Sequence, residues 1–177
     1  MTHVLVTGGV RSGKSRYAEL LLPVDQEVSY LTPGYRADPA VDAEWAARVA
    51  AHQLRRPAAW RTVETLDLAH AVAAASGPVM IDCLGTWLTR LMDSWQAWDD
   101  DAAEWLPRLA GEVSALVTAI AEHSDDVVVV TNEVGWVVVS EYRSGRLFAD
   151  ELGRVNQQVA AASDRVVLMV AGRPLTV

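Results

Sequence analysis

Three groups of residues in this sequence have the types and spacing for phosphate chemistry. The first is GGVRSGKS at residues 8–15. Gly8, Gly13, Lys14 and Ser15 match the P-loop pattern, in which backbone N–H groups and the start of a helix surround phosphate oxygens. Gly8 and Gly13 permit a tight turn and close approach, and Gly9, Val10, Arg11 and Ser12 complete the cradle. Lys14 is placed to reach β- and γ-phosphates, and the Ser15 hydroxyl to ligate Mg2+. Arg11 is open to a contact with phosphate or with a neighbouring subunit. The second group centres on Asp82, at the end of the run PVMID. A carboxylate at the carboxyl end of a strand lies where open α/β sheets hold ligands. It fits a Walker-B acid that binds Mg2+ directly or through water, a cap for the next helix, or both. The third group is EWAARVAAHQLRRP at residues 44–57. Trp45, Val49 and His52 share one helical face there. Arg48 precedes His52 by one turn, and Arg55 and Arg56 follow it within one turn. Arginines in that pattern can hold phosphate groups while a neutral imidazole nitrogen attacks phosphorus. Taken alone, the same pattern fits a half-buried structural histidine.

Other candidates are weaker. Asn132 and Glu133 follow the run VVVVT and fall near the same sheet edge, where they can orient substrate, water or magnesium, or simply make a turn. Trp136 suits a cover for a flat ligand, and suits a core or interface equally. His3, His70 and His123 have no metal-ligand spacing. Cys83, the only cysteine, reads as a small buried filler and excludes a disulfide within the chain. Lys14 is the only lysine, so the guanine-reading pattern Asn-Lys-x-Asp of switch GTPases is absent.

These groups need a scaffold, and the apolar runs supply one. HVLVT (3–7) reads as a strand that enters the glycine-rich turn, and residues 14–22 as the helix leaving it. Further strands are predicted at 28–32, 60–64, 79–83, 126–131 and 165–170. Helices are predicted at 42–55 with Asp42 as cap, at LDLAHAVAAA, from LGTWLTRLMDSW, and at 108–122. Residues 99–105 fit a loop or a helix start. SGRLFADELGRVNQQVAAAS reads as a long helix broken or bent near Gly153. AGRP turns the chain, and LTV pairs beside the last strand. Apolar strands alternating with helices describe an α/β fold: a largely parallel sheet covered on both faces, in one domain over residues 1–177.

Composition narrows the function classes. A net charge of −8 and a pI of about 4.9 argue against nonspecific nucleic-acid binding. The apolar stretch AHAVAAASGPVMI is interrupted by His70, Ser76, Gly77 and Pro78, so no membrane insertion is expected. MTHVLVTGG has neither a basic leader nor a cleavage-like segment, so a cytoplasmic location is expected.

The combined segments resemble one family, the bifunctional adenosylcobinamide kinase / adenosylcobinamide-phosphate guanylyltransferases of cobalamin biosynthesis. The resemblance rests on LVTGGVRSGKSRYAE, DAEWAARVAAHQLRRPAAWRTVE, IDCLGTWLTRLM, VTNEVGW and FADELGRVNQQVAAASDRVVLMVAG, and covers nearly the whole chain. It implies a RecA-like P-loop NTPase fold, a three-layer sandwich with an antiparallel C-terminal edge strand, assembled as a homotrimer with sites near subunit contacts. It implies phosphorylation of the aminopropanol hydroxyl of adenosylcobinamide with ATP or GTP. GMP then passes from GTP to the phosphate, giving adenosylcobinamide-GDP and pyrophosphate, with Mg2+ as cofactor. His52 matches the family's guanylyl-carrying histidine, and Glu64 joins the nucleotide-binding set with Arg48, Arg55, Arg56, Asp82 and Glu133. The chain departs from the family's usual residues at Gly85 and Arg90 (threonine and asparagine), Val137 and Ser140 (glycine and proline), Ala149 (arginine) and in YLTPGY. The P-loop alone would equally suit a small-molecule kinase without a covalent intermediate, or a nucleotide-binding regulatory protein.

Overall fold

The computed structural model describes residues 1–136 and 138–177; Val137 lies outside the described residues. In chain order the elements are β1 (His3–Gly8), α1 (Lys14–Glu19), β2 (Ser29–Thr32), α2 (Ala43–Gln53), β3 (Arg61–Glu64), α3 (Leu68–Ala73), β4 (Val79–Asp82), α4 (Leu84–Ser94), α5 (Ala102–Glu122), β5 (Val127–Val130), α6 (Arg143–Ala161), β6 (Arg165–Val170) and β7 (Arg173–Thr176). All seven strands join one sheet, ordered β3-β2-β4-β5-β1-β6-β7. Every pairing is parallel except β6 with β7, so the expected antiparallel edge forms, but β7 already includes Arg173 and Pro174 of AGRP, which leaves Ala171 and Gly172 as the turn.

Alternation along the strands divides the interior in two, because successive side chains point to opposite faces. Leu5, Leu31, Ile81, Val127 and Val129 pack with the apolar stripes of α3, α4, α5 and α6. Val4, Val6, Tyr30, Met80, Val128 and Val130 pack on the other face with Ala18 and Leu22 from α1 and the turn after it. The fold is therefore the P-loop α/β sandwich the sequence implied. Its central strands are apolar on both sides because both sides are covered.

Four local differences from the sequence reading have physical causes. α1 gives way at Leu20 to bonds from Leu21 to Ala18 and from Leu22 to Glu19, a tighter i→i+3 turn ahead of Pro23. α5 begins at Ala102, capped by the Asp101 side chain, and continues through Pro107 because Trp105 already belongs to its buried stripe. α6 runs unbroken through Gly153, where burial of Leu152 and Val155 outweighs the helix cost of glycine, about 1 kcal/mol. The cap of α4 is Cys83, paired with Thr86, so the capping role open to Asp82 falls to its neighbour.

Candidate active site

Parallel register brings the chemistry to one edge. Val6 pairs with Val130, and Asp82 pairs with the same residue from the other side. The P-loop after β1, Asp82 at the end of β4 and Asn132 after β5 thus leave the sheet at neighbouring carboxyl ends, with β5 between the loop's strand and the acid's strand. On the far side Thr32 of β2 pairs with Glu64 at the end of β3.

The P-loop is tightly fitted. Gly8 still pairs with Met169. A Cβ there would lie 2.6 Å from Ser12 Oγ and 2.8 Å from the Met169 carbonyl oxygen. Gly13 caps α1 from the left-handed region at φ 91, which glycine adopts without steric cost. The Gly172 amide donates to Ser12 O at 3.0 Å and ties the loop to the β6–β7 turn. Lys14 is only 9% exposed, and its Nζ donates to Gly9 O at 3.1 Å. Burial lowers its pKa, partly offset by Cys83 and Asp82 nearby, while Arg48 lowers it further.

Asp82 presents its two oxygens to different partners. Ser15 Oγ donates to Oδ1 at 3.3 Å. The Tyr30 hydroxyl donates to Oδ2 at 2.7 Å, and His52 Nδ1 stands 3.6 Å from that same oxygen. Burial is the largest influence on the carboxyl and pushes it upward. The contacts with His52, Tyr30 and Ser15 together outweigh it and hold the group below its ordinary value. Tyr30 is fully buried, and its phenol is pushed well above its usual value, first by burial and then by Asp82.

His52 comes from α2, an 11-residue helix with no buried residue. Its inward face instead lines a cavity of about 560 Å³ with Trp45, Arg48, Val49, His52 and Gln53. Beyond the helix, Arg55 pairs with Glu19 at 3.1 Å. Arg56 donates to Thr62 Oγ1 at 2.7 Å and lays its guanidinium over the Tyr30 ring at 3.8 Å. Val10, Arg11, Ser12, Gly13, Lys14, Ser15, Arg55, Arg56, Glu64, Asp82 and Asn132 complete the wall on the candidate side, with Cys83, Thr86 and Tyr35. Glu64 there meets Arg36 Nε at 3.0 Å.

Some candidates lie elsewhere. Gly8 and Gly9 do not line the cavity. Glu133 is also off the wall: its carboxylate accepts from the Gly135 amide at 2.7 Å, and its own amide donates to Gly8 O. Trp136 is 74% exposed. His123 is buried against the Gly77 carbonyl oxygen, 3.0 Å away. Among the described residues no group of three or more His, Cys, Asp or Glu is placed to hold a metal. A hydroxyl and a carboxylate side by side, as in Ser15 and Asp82, fit a hard cation that takes its other ligands from water and phosphate. Sequence reasoning missed Tyr30, Tyr35, Thr62 and Thr86. Trp45, which the sequence reading placed on the helical face of His52, does line the cavity.

Comparison with known proteins decides between the readings that a P-loop with a facing histidine leaves open. Residues 4–177 match the family described as cobinamide kinase / cobinamide phosphate guanyltransferase. The chain belongs to this family. Among its relatives is the bifunctional adenosylcobalamin biosynthesis protein CobU of Escherichia coli K12, 40% identical over 178 residues that cover 96% of each chain. CobU of Salmonella typhimurium LT2 is 40% identical over 179 residues, again covering 96% of each. CobP of Pseudomonas aeruginosa PAO1 is 39% identical over 176 residues, covering 97% of this chain and 94% of that one. A solved structure of the P4 protein from bacteriophage phi6 in complex with ADP is 20% identical, with a TM-score of 0.42 over 98% of this chain and 52% of that one. That likeness is too loose to carry an argument.

Proposed function

We propose that this chain phosphorylates the aminopropanol hydroxyl of adenosylcobinamide with ATP or GTP. It then transfers GMP from GTP to the resulting phosphate through His52. Family membership supports the two activities. The observation that supports one shared site is that His52 Nδ1 stands 3.6 Å from Asp82, whose other oxygen meets Ser15 of the P-loop.

The division of labour follows from the contacts. The loop amides, Lys14 and the cavity arginines Arg48, Arg55 and Arg56 bind and orient the triphosphate. Ser15 and Asp82 Oδ1 would hold Mg2+, which neutralises charge on the transferring phosphates. In the tautomer that turns Nδ1–H toward Asp82 Oδ2, 3.6 Å away, the lone pair of His52 sits on Nε2. That nitrogen attacks the α-phosphorus, a P–N bond forms, and the bond to the bridging oxygen breaks as pyrophosphate leaves. A phosphate oxygen of adenosylcobinamide phosphate then attacks the same phosphorus, breaks the P–N bond and restores the imidazole. Covalent transfer divides one hard substitution into two easier ones. In the kinase step the substrate hydroxyl approaches the γ-phosphorus, and His52 takes no part.

We read the chain as one domain carrying both reactions, and the enzyme as a cytoplasmic homotrimer, as the resemblance implies; sedimentation at the monomer mass would contradict the trimer. No helix among the described residues is long and apolar enough to cross a membrane. Incubation with adenosylcobinamide, Mg2+ and ATP should give the phosphate, and further GTP should give adenosylcobinamide-GDP and pyrophosphate. Phosphate product without any GDP product would favour a simple kinase. Nucleotide binding without either product would favour a regulatory protein.

A further inference from the structure

Three consecutive carbonyls of the turn after β2 are captured by side chains from two helices. Arg90 of α4 donates from one nitrogen, Nη1, to Pro33 O at 3.1 Å and Gly34 O at 2.9 Å. Trp45 of α2 donates Nε1–H to Tyr35 O at 3.0 Å. Tyr35 closes the arrangement, with its ring 5.1 Å from the Arg90 guanidinium carbon and its hydroxyl bonded to Asp93 of α4. Gly34 fits closely under the helix, since a Cβ there would lie 3.1 Å from the Trp45 ring.

The two helices joined by this turn differ in how they are anchored. α4 buries Leu84, Trp87, Leu88, Leu91 and Met92 and is fixed to the sheet. α2 buries nothing, so side-chain contacts must place it. Its C-terminal end is tied by Arg55 to Glu19 and by Arg56 to Thr62. Among the described residues, the Trp45–Tyr35 bond is the hydrogen bond that ties its N-terminal half to another part of the chain.

We infer that Arg90 and Trp45 are positioning residues for guanylyl transfer: through the 33–35 turn they clasp α2 to α4 and so set the placement of His52 over the P-loop. The inference rests on His52 as the guanylyl carrier. His52 follows Trp45 by seven residues, about 10 Å at helical rise. Released at Trp45, α2 pivots about its tied C-terminal end, about 5 Å along the helix from His52, so a tilt of about 11° displaces the imidazole by about 1 Å, and a misplacement of that size can slow a reaction about 100-fold. Transfer of the γ-phosphate does not use His52 and meets α2 only through Arg48.

The test compares wild type, Arg90→Asn and Trp45→Phe, the last keeping the ring while losing the N–H. Single-turnover labelling of His52 from α-32P-GTP with Mg2+ is measured beside phosphorylation of adenosylcobinamide from ATP, ADP affinity and the melting temperature. For Arg90→Asn, labelling should slow about tenfold or more, while phosphorylation and ADP affinity, which α2 reaches only through Arg48, fall by no more than about threefold. Trp45→Phe should slow labelling in the same sense, and it carries the test if Arg90→Asn does not fold. Labelling at the wild-type rate in the folded variants would overturn the clasp, as would a parallel loss of labelling, phosphorylation and ADP affinity. A folded, GTP-binding wild type that takes no label would overturn the role of His52 itself, and the clasp with it.

Discussion

Tyr30→Phe removes one hydroxyl and leaves the ring under Arg56. The hydroxyl lies 2.7 Å from Asp82 Oδ2, Tyr30 is fully buried, and the Asp82 side chain is 11% exposed, so solvent replaces little of what is lost. A hydrogen bond to a charged group contributes about 1.5–3 kcal/mol. For a chain of 177 residues each kcal/mol moves the melting temperature by roughly 2–4 °C, which gives a fall of about 3–12 °C. The Asp82 carboxyl is held below its ordinary value in the folded chain. Its contribution to stability is therefore complete above the ordinary aspartate range and is lost as pH falls through the lower, folded value. The penalty of Tyr30→Phe should shrink toward acid pH for the same reason. Denaturant unfolding at neutral and acid pH reads both effects. The same substitution in an Asp82→Asn background should cost about half as much, because an amide oxygen is a weaker acceptor than a carboxylate. Equal midpoints for wild type and Tyr30→Phe at neutral pH, or an undiminished loss in the Asp82→Asn background, would refute the reasoning.

Two further outcomes follow from the P-loop. Burial lowers the Lys14 pKa, so the folded chain pays to keep that ammonium charged. Lys14→Met should melt no lower than wild type and yet lose at least about tenfold in GTP affinity, since a charge-assisted contact to phosphate is gone; a thermal melt and a nucleotide titration check the two halves. Gly8→Ala should destabilise by about 1–3 kcal/mol, because its methyl meets both Ser12 Oγ and the Met169 carbonyl oxygen inside contact distance. Denaturant unfolding measures this, and an unchanged midpoint would contradict the close fit.

Much of the scaffold was legible because its signals are local. The apolar runs at β1 and β5 are buried on both faces, β6 buries one face, and all three read as strands without context. GGVRSGKS carries its own turn chemistry, with Gly13 in the left-handed region. What escaped depends on tertiary contact. Tyr30 in SYLT reads as a core aromatic, and nothing in the sequence marks its hydroxyl as the partner of Asp82. Arg90 lies 56 residues from the carbonyl of Gly34 that it holds. Glu133 has the right type and position after a strand, but its carboxylate turns back onto the Gly135 amide. The face of α2 was read correctly from Trp45, Val49 and His52, yet periodicity cannot say whether a face meets a core or a cavity, and here it meets the cavity.

The central claim is that the imidazole of His52 takes GMP from a nucleotide seated on the P-loop. Mass spectrometry of the protein quenched in base after incubation with GTP and Mg2+ tests it most directly. The account predicts a GMP adduct on the peptide carrying His52, labile to acid and absent from His52→Ala. Folded protein that binds GTP and carries no adduct, or an adduct that survives in His52→Ala, would contradict it.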